Sequence, residues 1–463
     1  MFASTTSSSY FRDSMSARSE TISNISREFD GNVYHATKNP KGMIDMGSAI
    51  NEVMLDDVES WAKRNLKKNQ LKNDLGYNDT PVSPELLAAA AGFMTEHFRA
   101  RLPLTPDNIV AASGVATLLD TLTSNIAGPD GAILLPTPTA STYAQETCAR
   151  NGIRVVEVPC DDIPDERFWG ARPRDNAPIL VPEIVTRLAT AIESEKSQNR
   201  AVAGVLLSNP ESSTGRSYAA HILLQIYQLC ASHDMHLIID EEFAMSAGES
   251  FSSILSLGLD DFRNVHVLWS MDKDFGLDGV NIGFLATYNQ QLCEAMRTES
   301  PLTYVSSCTA ALSTKLLSDA KFLRKTYLPT LRRRLIKRQA MVEEGLEQYE
   351  IPYRKADAGF FVSVDLSKWA DLLFQRHGKK GDLEFLAYIM KRRVFLEPGQ
   401  TFSSREPGWF RLSFGGEKET FKLGLQRLFY SLRSLEGRDP EPFALAPKLF
   451  VPPPNRMAHL VHH

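Results

Sequence analysis

Val265-His266-Val267-Leu268-Trp269-Ser270-Met271-Asp272-Lys273-Asp274-Phe275-Gly276-Leu277 is the stretch that decides how this chain folds and what chemistry it can support. Val265 to Leu268 read as a buried strand, and the polar residues that follow as a turn at its mouth carrying Lys273. Most lysines after strands are simply solvated. One held in a partly buried, cationic setting has its ammonium pKa lowered, and the neutral amine can then condense with an aldehyde. Three further segments favour that second reading.

In Met235-His236-Leu237-Ile238-Ile239-Asp240-Glu241-Glu242-Phe243 a short apolar strand delivers Asp240 at its carboxyl end, where open α/β sheets place ligands. A buried carboxylate there can keep a pyridine nitrogen protonated, so that the ring accepts electrons from a substrate's α-carbon. The alternative is a cap for the next helix. Pro407-Gly408-Trp409-Phe410-Arg411-Leu412-Ser413-Phe414 puts Arg411 inside an apolar strand pattern. Its planar fork suits a carboxylate, either a substrate's α-carboxylate or a structural partner. Ala112-Ser113-Gly114-Val115-Ala116-Thr117-Leu118-Leu119 leads small residues from a strand at 108–111 into a helix. Free N–H groups around Gly114 and Val115 can cradle a phosphate, or the turn can serve tight packing alone.

Together these segments resemble the class I/II aminotransferases of pyridoxal-phosphate fold type I, most closely the branch containing 1-aminocyclopropane-1-carboxylate (ACC) synthase and its fungal relatives. The similarity runs from about Asp45 to about Leu435. It is strongest at Ser270 to Gly276, against the family's S-x-S-K-D-x-G, and at Pro407 to Arg411, against P-G-W-F-R. Met46-Gly47-Ser48-Ala49-Ile50-Asn51-Glu52 and Ala358-Gly359-Phe360-Phe361 match two further motifs of that branch. The resemblance implies an α/β fold, with a mostly parallel sheet in a large domain and a smaller α/β domain. It implies pyridoxal 5'-phosphate as cofactor, Lys273 as its imine lysine and Asp240 as the pyridine-nitrogen partner. Arg411 becomes the clamp for the substrate carboxylate, while Ser270 and the Gly114–Val115 turn hold phosphate. Tyr77 is assigned to the neighbouring subunit's phosphate in a homodimer.

The departures fall on residues that tune the cofactor. The asparagine and tyrosine that bond its phenolic oxygen become Ser212 and Phe243. The stacking aromatic becomes Ala140, with Tyr143 a substitute three residues on. The phosphate arginine becomes Asn281, and the second serine before the lysine becomes Asp272. Losing a cation and gaining a carboxylate beside a dianion weakens phosphate binding. Ile50 stands where ACC synthases carry their characteristic glutamate, which disfavours ACC synthesis.

Transamination of an α-amino acid or amino-acid conjugate, in fungal secondary-metabolite biosynthesis, is the leading expectation. Beta-elimination follows, as in carbon-sulfur lyases of gliotoxin-type pathways, and then a vestigial binding subunit. The first two need the same Lys273, Asp240 and Arg411 and differ in what leaves the α-carbanion.

Composition agrees. The chain has 463 residues and a net charge of -5, with a pI near 6.1, so it carries no nucleic-acid footprint. Arg332, Arg333, Arg334, Lys337 and Arg338 read as a solvated helix face balanced by Glu343, Glu344 and Glu347. Five cysteines without local pairing suit a reducing, cytoplasmic setting. No apolar run approaches the roughly 20 residues of a membrane helix. The histidines His459, His462 and His463 read as tail residues and not as metal ligands.

The expected organisation is a Ser-rich, disordered 1–28, a lead-in segment at 29–65 and a cofactor domain at 66–325. A small domain at 326–436 and a Pro-rich tail at 437–463 complete it. Strand patterns at 202–208, 237–240, 265–270 and 282–287 alternate with helical ones such as 221–232, which predicts βαβ units. A long helix at 320–349 leads into the small domain.

Overall fold

The computed structural model describes residues 32–66, 82–128, 131–140, 142–144, 152–163, 182–248, 251–299, 302–378 and 381–437. Tyr77, Cys148, the Ser-rich stretch 1–28 and the tail beyond Gly437 with its histidines lie outside them.

The strands are β1 (Ile44–Asp45), β2 (Ile109–Ala112), β3 (Ala132–Thr137), β4 (Arg154–Pro159), β5 (Val202–Ser208), β6 (His236–Asp240), β7 (Val265–Ser270) and β8 (Gly283–Thr287). The later ones are β9 (Tyr353–Arg354), β10 (Phe361–Asp365), β11 (Val394–Phe395), β12 (Glu397–Pro398) and β13 (Trp409–Ser413). β2 to β8 form a seven-stranded sheet in the order β2-β8-β7-β6-β5-β3-β4. Helices cover both faces, which is why β3 and β7 are buried at every residue and read as continuous apolar runs. Alternate side chains feed two cores. Leu237, Ile239, Val265 and Val267 enter one, and Ile238, Leu268, Leu285 and Leu206 enter the other. Truncating any of these leucines or isoleucines to alanine costs about 2–5 kcal/mol.

The sheet is mostly parallel, as the alternation predicts, but β8 runs antiparallel to β7 and to β2. A parallel return needs a crossover helix. The link after Ser270 instead forms the Lys273 turn, whose helix Met271–Phe275 has only 5 residues. β6 and β7 pair in register, so Asp240 lies opposite Leu268 and the Lys273 turn begins just beyond.

A second sheet, β12-β13-β10-β9, is antiparallel throughout. It sets Arg411 between Ser363 on β10 and Glu397 on β12. The helix expected at 320–349 comes in pieces, Ala320–Phe322, a π-helical Leu323–Tyr327 and Leu328–Gln348. Pro329 has no N–H to offer, so the regular ladder is interrupted there. The arginine cluster is a correction to the sequence reading. Arg332 and Arg333 are exposed, but Arg338 is buried and donates to the carbonyls of Phe414 and Gly416. Arg334 reaches Asp57 at 2.6 Å and the Val53 carbonyl at 2.8 Å.

Among the described residues, no helix is long and apolar enough to cross a membrane, and no group of side chains could hold a metal ion. Cys160, Cys230 and Cys293 are buried thiols outside any disulfide.

Candidate active site

The Lys273 turn is fixed from several sides. Ser270 caps the helix Met271–Phe275 by accepting from the Asp272 N–H at 3.2 Å. Gly276 ends it at φ 65, where a Cβ would overlap the carbonyl oxygen of Asn51. Asp274 is fully buried and accepts from Trp269 Nε1 at 2.9 Å and from the Met245 and Ser246 N–H groups at 3.0 and 3.3 Å. Asn51 donates to the Lys273 carbonyl at 2.8 Å, and the Tyr327 hydroxyl to that of Asp274 at 2.8 Å. The backbone is thereby held while the side chain of Lys273 projects into a cavity, its Nζ 3.8 Å from Asp278 Oδ1.

That cavity, of about 480 Å³, is lined by Gly114, Val115, Ser212, Asp240, Lys273 and Arg411, along with other residues. Asp240 is buried. Its Oδ1 accepts from the Glu242 N–H at 2.9 Å and its Oδ2 from the Tyr143 hydroxyl at 2.5 Å. Burial, then the Asp240 charge, push the Tyr143 phenol well above its ordinary pKa. The phenol therefore stays a donor.

Arg411 donates from Nε to the Gly47 carbonyl at 3.0 Å and from Nη1 to the Ser212 carbonyl at 2.9 Å. Its guanidinium carbon lies 4.6 Å from the Phe402 ring centre and 5.1 Å from that of Phe361. Burial lowers its pKa to about 10, against the pull of Glu397, Glu211 and Asp45, so it remains a cation at neutral pH. Nη2 has no hydrogen-bond partner among the described residues. A cation this buried, with an unused donor facing a cavity, is fitted to an anion arriving from outside.

At the opposite end the helix Val115–Ile126 begins from Gly114 at φ 89, with no side-chain cap. The first N–H groups of a helix have no intrahelical acceptor, so Val115, Ala116 and Thr117 offer donors to an anion. A Cβ on Gly114 would stand 2.5 Å from Asn281 Oδ1. Asp272 and Glu242 line this end too. Ser270 differs from its expected role. It is fully buried and absent from the cavity wall, and its hydroxyl donates to Glu242. Ser212 lines the cavity but accepts from the Ala140 N–H at 3.2 Å, and its hydroxyl lies 3.3 Å from Glu211. Phe243 is wedged edge-on against Phe360 and Phe361 and contributes no polar atom.

A seven-stranded α/β sheet with a lysine, a buried aspartate and a buried arginine converging on one cavity is the framework of the aminotransferases. The chain belongs to the family Aminotransferase class I and II, whose model matches residues 41–428. It is 28% identical over 420 residues to 1-aminocyclopropane-1-carboxylate synthase 7 of Arabidopsis thaliana, covering 87% of this chain and 90% of that protein. It is 29% identical over 428 residues to 1-aminocyclopropane-1-carboxylate synthase-like protein 1 of Homo sapiens, covering 90% and 82%. A solved aspartate aminotransferase of Thermus thermophilus superposes with a TM-score of 0.70 at 18% identity, over 90% of this chain and 98% of that one. That likeness places the fold in pyridoxal-phosphate fold type I.

The family is pyridoxal-phosphate dependent, and the cavity fits that cofactor. Lys273 can take its aldehyde, Asp240 can face its ring nitrogen, and the uncapped helix start at Gly114 leaves a phosphate-sized cradle that a side chain would fill. Asn51, Glu242, Asp274 and Tyr327 were missed by sequence reasoning. Asn51, Glu242 and Asp274 lie in motifs that could have flagged them, and Tyr327 does not.

Proposed function

We propose that this chain is a pyridoxal-phosphate enzyme that transaminates an α-amino acid or amino-acid conjugate bearing a free α-carboxylate. The observation that carries the reading is Arg411, whose unused Nη2 faces the cavity that also holds Lys273 and Asp240. Bound pyridoxal phosphate supplies an electron sink for the substrate's α-carbon. Arg411 orients the substrate by its carboxylate, so that the α C–H bond is presented to Lys273. Once the substrate's amine has replaced it on the aldehyde, Lys273 Nζ would be free to take the α-proton and to return it to the former aldehyde carbon of the cofactor. The Asp240 carboxylate would face the ring nitrogen, held in place by the Tyr143 hydroxyl and the Glu242 N–H. Phe402 and Phe361 exclude water around the guanidinium.

Beta-elimination uses the same residues, and the cavity offers no observation that favours it. ACC synthesis is disfavoured. Ser48 and Ala49 line the cavity, whereas Ile50, at the position of the synthases' glutamate, is 42% exposed. The proposal extends to a cytoplasmic homodimer serving fungal secondary-metabolite biosynthesis. Only monomer in sedimentation at micromolar protein would count against the dimer.

The test is borohydride reduction of protein saturated with cofactor, followed by peptide mapping and product analysis. A cofactor adduct on Lys273 and 2-oxo acid from amino donors are expected. No adduct would sink the enzymatic reading altogether. Release of thiol, pyruvate and ammonia from cysteine conjugates, without 2-oxo acid matching the donor, would replace the transaminase by the lyase.

A further inference from the structure

Gly283 on β8 pairs with Ala112 on one side and with Ser270 on the other. The Gly114 turn and the Asp272 turn therefore flank Asn281, and all three residues line the same end of the cavity. This is the end with the anion cradle, yet among the described residues it holds no cation besides Lys273, whose amine is reserved for the cofactor aldehyde. It holds carboxyl groups instead. Asp272 faces Glu242, Asp278, Lys273 and the Ile282 N–H, and its Oδ1 is buried without a hydrogen-bond partner. Glu242 carries the Ser270 hydroxyl.

An ionised Asp272 here would repel a phosphate dianion at short range, in a setting with little water to screen it. A protonated one would do the opposite, because a carboxylic acid has an O–H donor and phosphate oxygens are strong acceptors. We propose that Asp272 acts as a carboxylic acid that donates a hydrogen bond to the cofactor phosphate, replacing the arginine cation expected at Asn281. The proposal rests on the cofactor reading given above. Burial, followed by the nearby Glu242 charge, raises the Asp272 carboxyl to about 7, with Lys273 opposing, so the acid form is available at neutral pH. Burial raises Glu242 as well, with Lys273 again opposing. The group that grips phosphate is thus also one that lets go as pH rises.

The experiment is titration of cofactor-free full chain with pyridoxal phosphate and, separately, pyridoxal, from pH 6 to 9, following tryptophan fluorescence, with borohydride labelling of Lys273 in the same samples. For the natural protein the Kd of pyridoxal phosphate should rise above pH 7 by up to about tenfold per pH unit, as expected when one proton must be bound. Asp272→Asn keeps a donor that cannot ionise, so its Kd should lack that rise. The phosphate's own ionisation is common to both proteins and cancels in the comparison. Glu242→Gln removes a like charge, so the rise should begin at lower pH. Asn281→Arg should tighten binding at pH 9 by about tenfold or more and flatten the profile. An unchanged profile in Asp272→Asn, or an equal rise with pyridoxal, overturns the proposal while a Lys273 adduct leaves the cofactor reading intact. No adduct at any pH with either aldehyde overturns both.

Discussion

The phenolic oxygen of Tyr143 stands 2.5 Å from Oδ2 of Asp240, although the two residues are 97 positions apart in the chain. Together with the Glu242 N–H on Oδ1, the phenol gives each oxygen of this buried carboxylate one donor. Both donors fix the direction in which the carboxylate faces. Tyr143→Phe should leave cofactor on Lys273 but reduce kcat/KM by about tenfold, and lower unfolding free energy by about 1.5–3 kcal/mol through loss of a hydrogen bond to a charge. Steady-state kinetics and chemical denaturation check the two effects. Asp240→Ala should fall much further in kcat/KM.

Arg411→Ala should leave the cofactor adduct in place and weaken substrate use. The charge-assisted contacts it loses are worth about 2–4 kcal/mol, roughly 30- to 1000-fold in kcat/KM. Arg411→Lys should rescue little, because an ammonium cannot bond Gly47, Ser212 and a substrate carboxylate in one plane. Amine substrates without a carboxylate should be indifferent to either change.

Two glycines are held by backbone geometry and not by composition. Gly114→Ala forces a side chain into φ 89 and against Asn281, at a cost of about 1–3 kcal/mol, and should weaken cofactor binding. Gly276→Ala collides with the Asn51 backbone and should reduce soluble yield more severely. Thermal unfolding of both variants, with and without cofactor, checks the order.

His266 is fully buried between His236 and Thr287, at 2.9 and 2.8 Å. Burial, with His236 beside it, lowers its pKa to about 3. In the unfolded chain it titrates near 6.5, so between these values the unfolded state binds more protons. Its contribution to stability is complete above pH 6.5 and is lost towards pH 3, by about 1.4 kcal/mol per pH unit. His266→Gln should flatten the acid limb of the stability curve, leaving the share of His236. Denaturation midpoints from pH 7 to 4 give the comparison.

The residues at strand ends were the ones legible in the sequence. Lys273, Asp240, Arg411 and Gly114 each follow or sit in a short apolar run, and register alone carries them to one cavity. Tyr143, Asn51 and Tyr327 were not legible in these roles, because each acts through a contact made only when distant segments meet. Asn51, for instance, bonds a carbonyl 222 positions away. Ser270 misled for a related reason. It keeps its place three residues before Lys273, but Glu242, contributed by a different strand end, takes its hydroxyl. Arg338 escaped because a basic helix looks the same in sequence whether a given turn faces solvent or the segment just after β13.

Met46 to Asn51 form a strap with one hold on each half of the site. Its Gly47 carbonyl receives Arg411, and its Asn51 amide grips the Lys273 carbonyl. The strap acts as a ruler. It ties the guanidinium of Arg411 to the backbone that carries Lys273. Its Ser48 and Ala49 also line the cavity, so lengthening the strap by one residue should shift both the spacing of these two holds and the cavity wall, and with them the relative use of α- and β-amino acids.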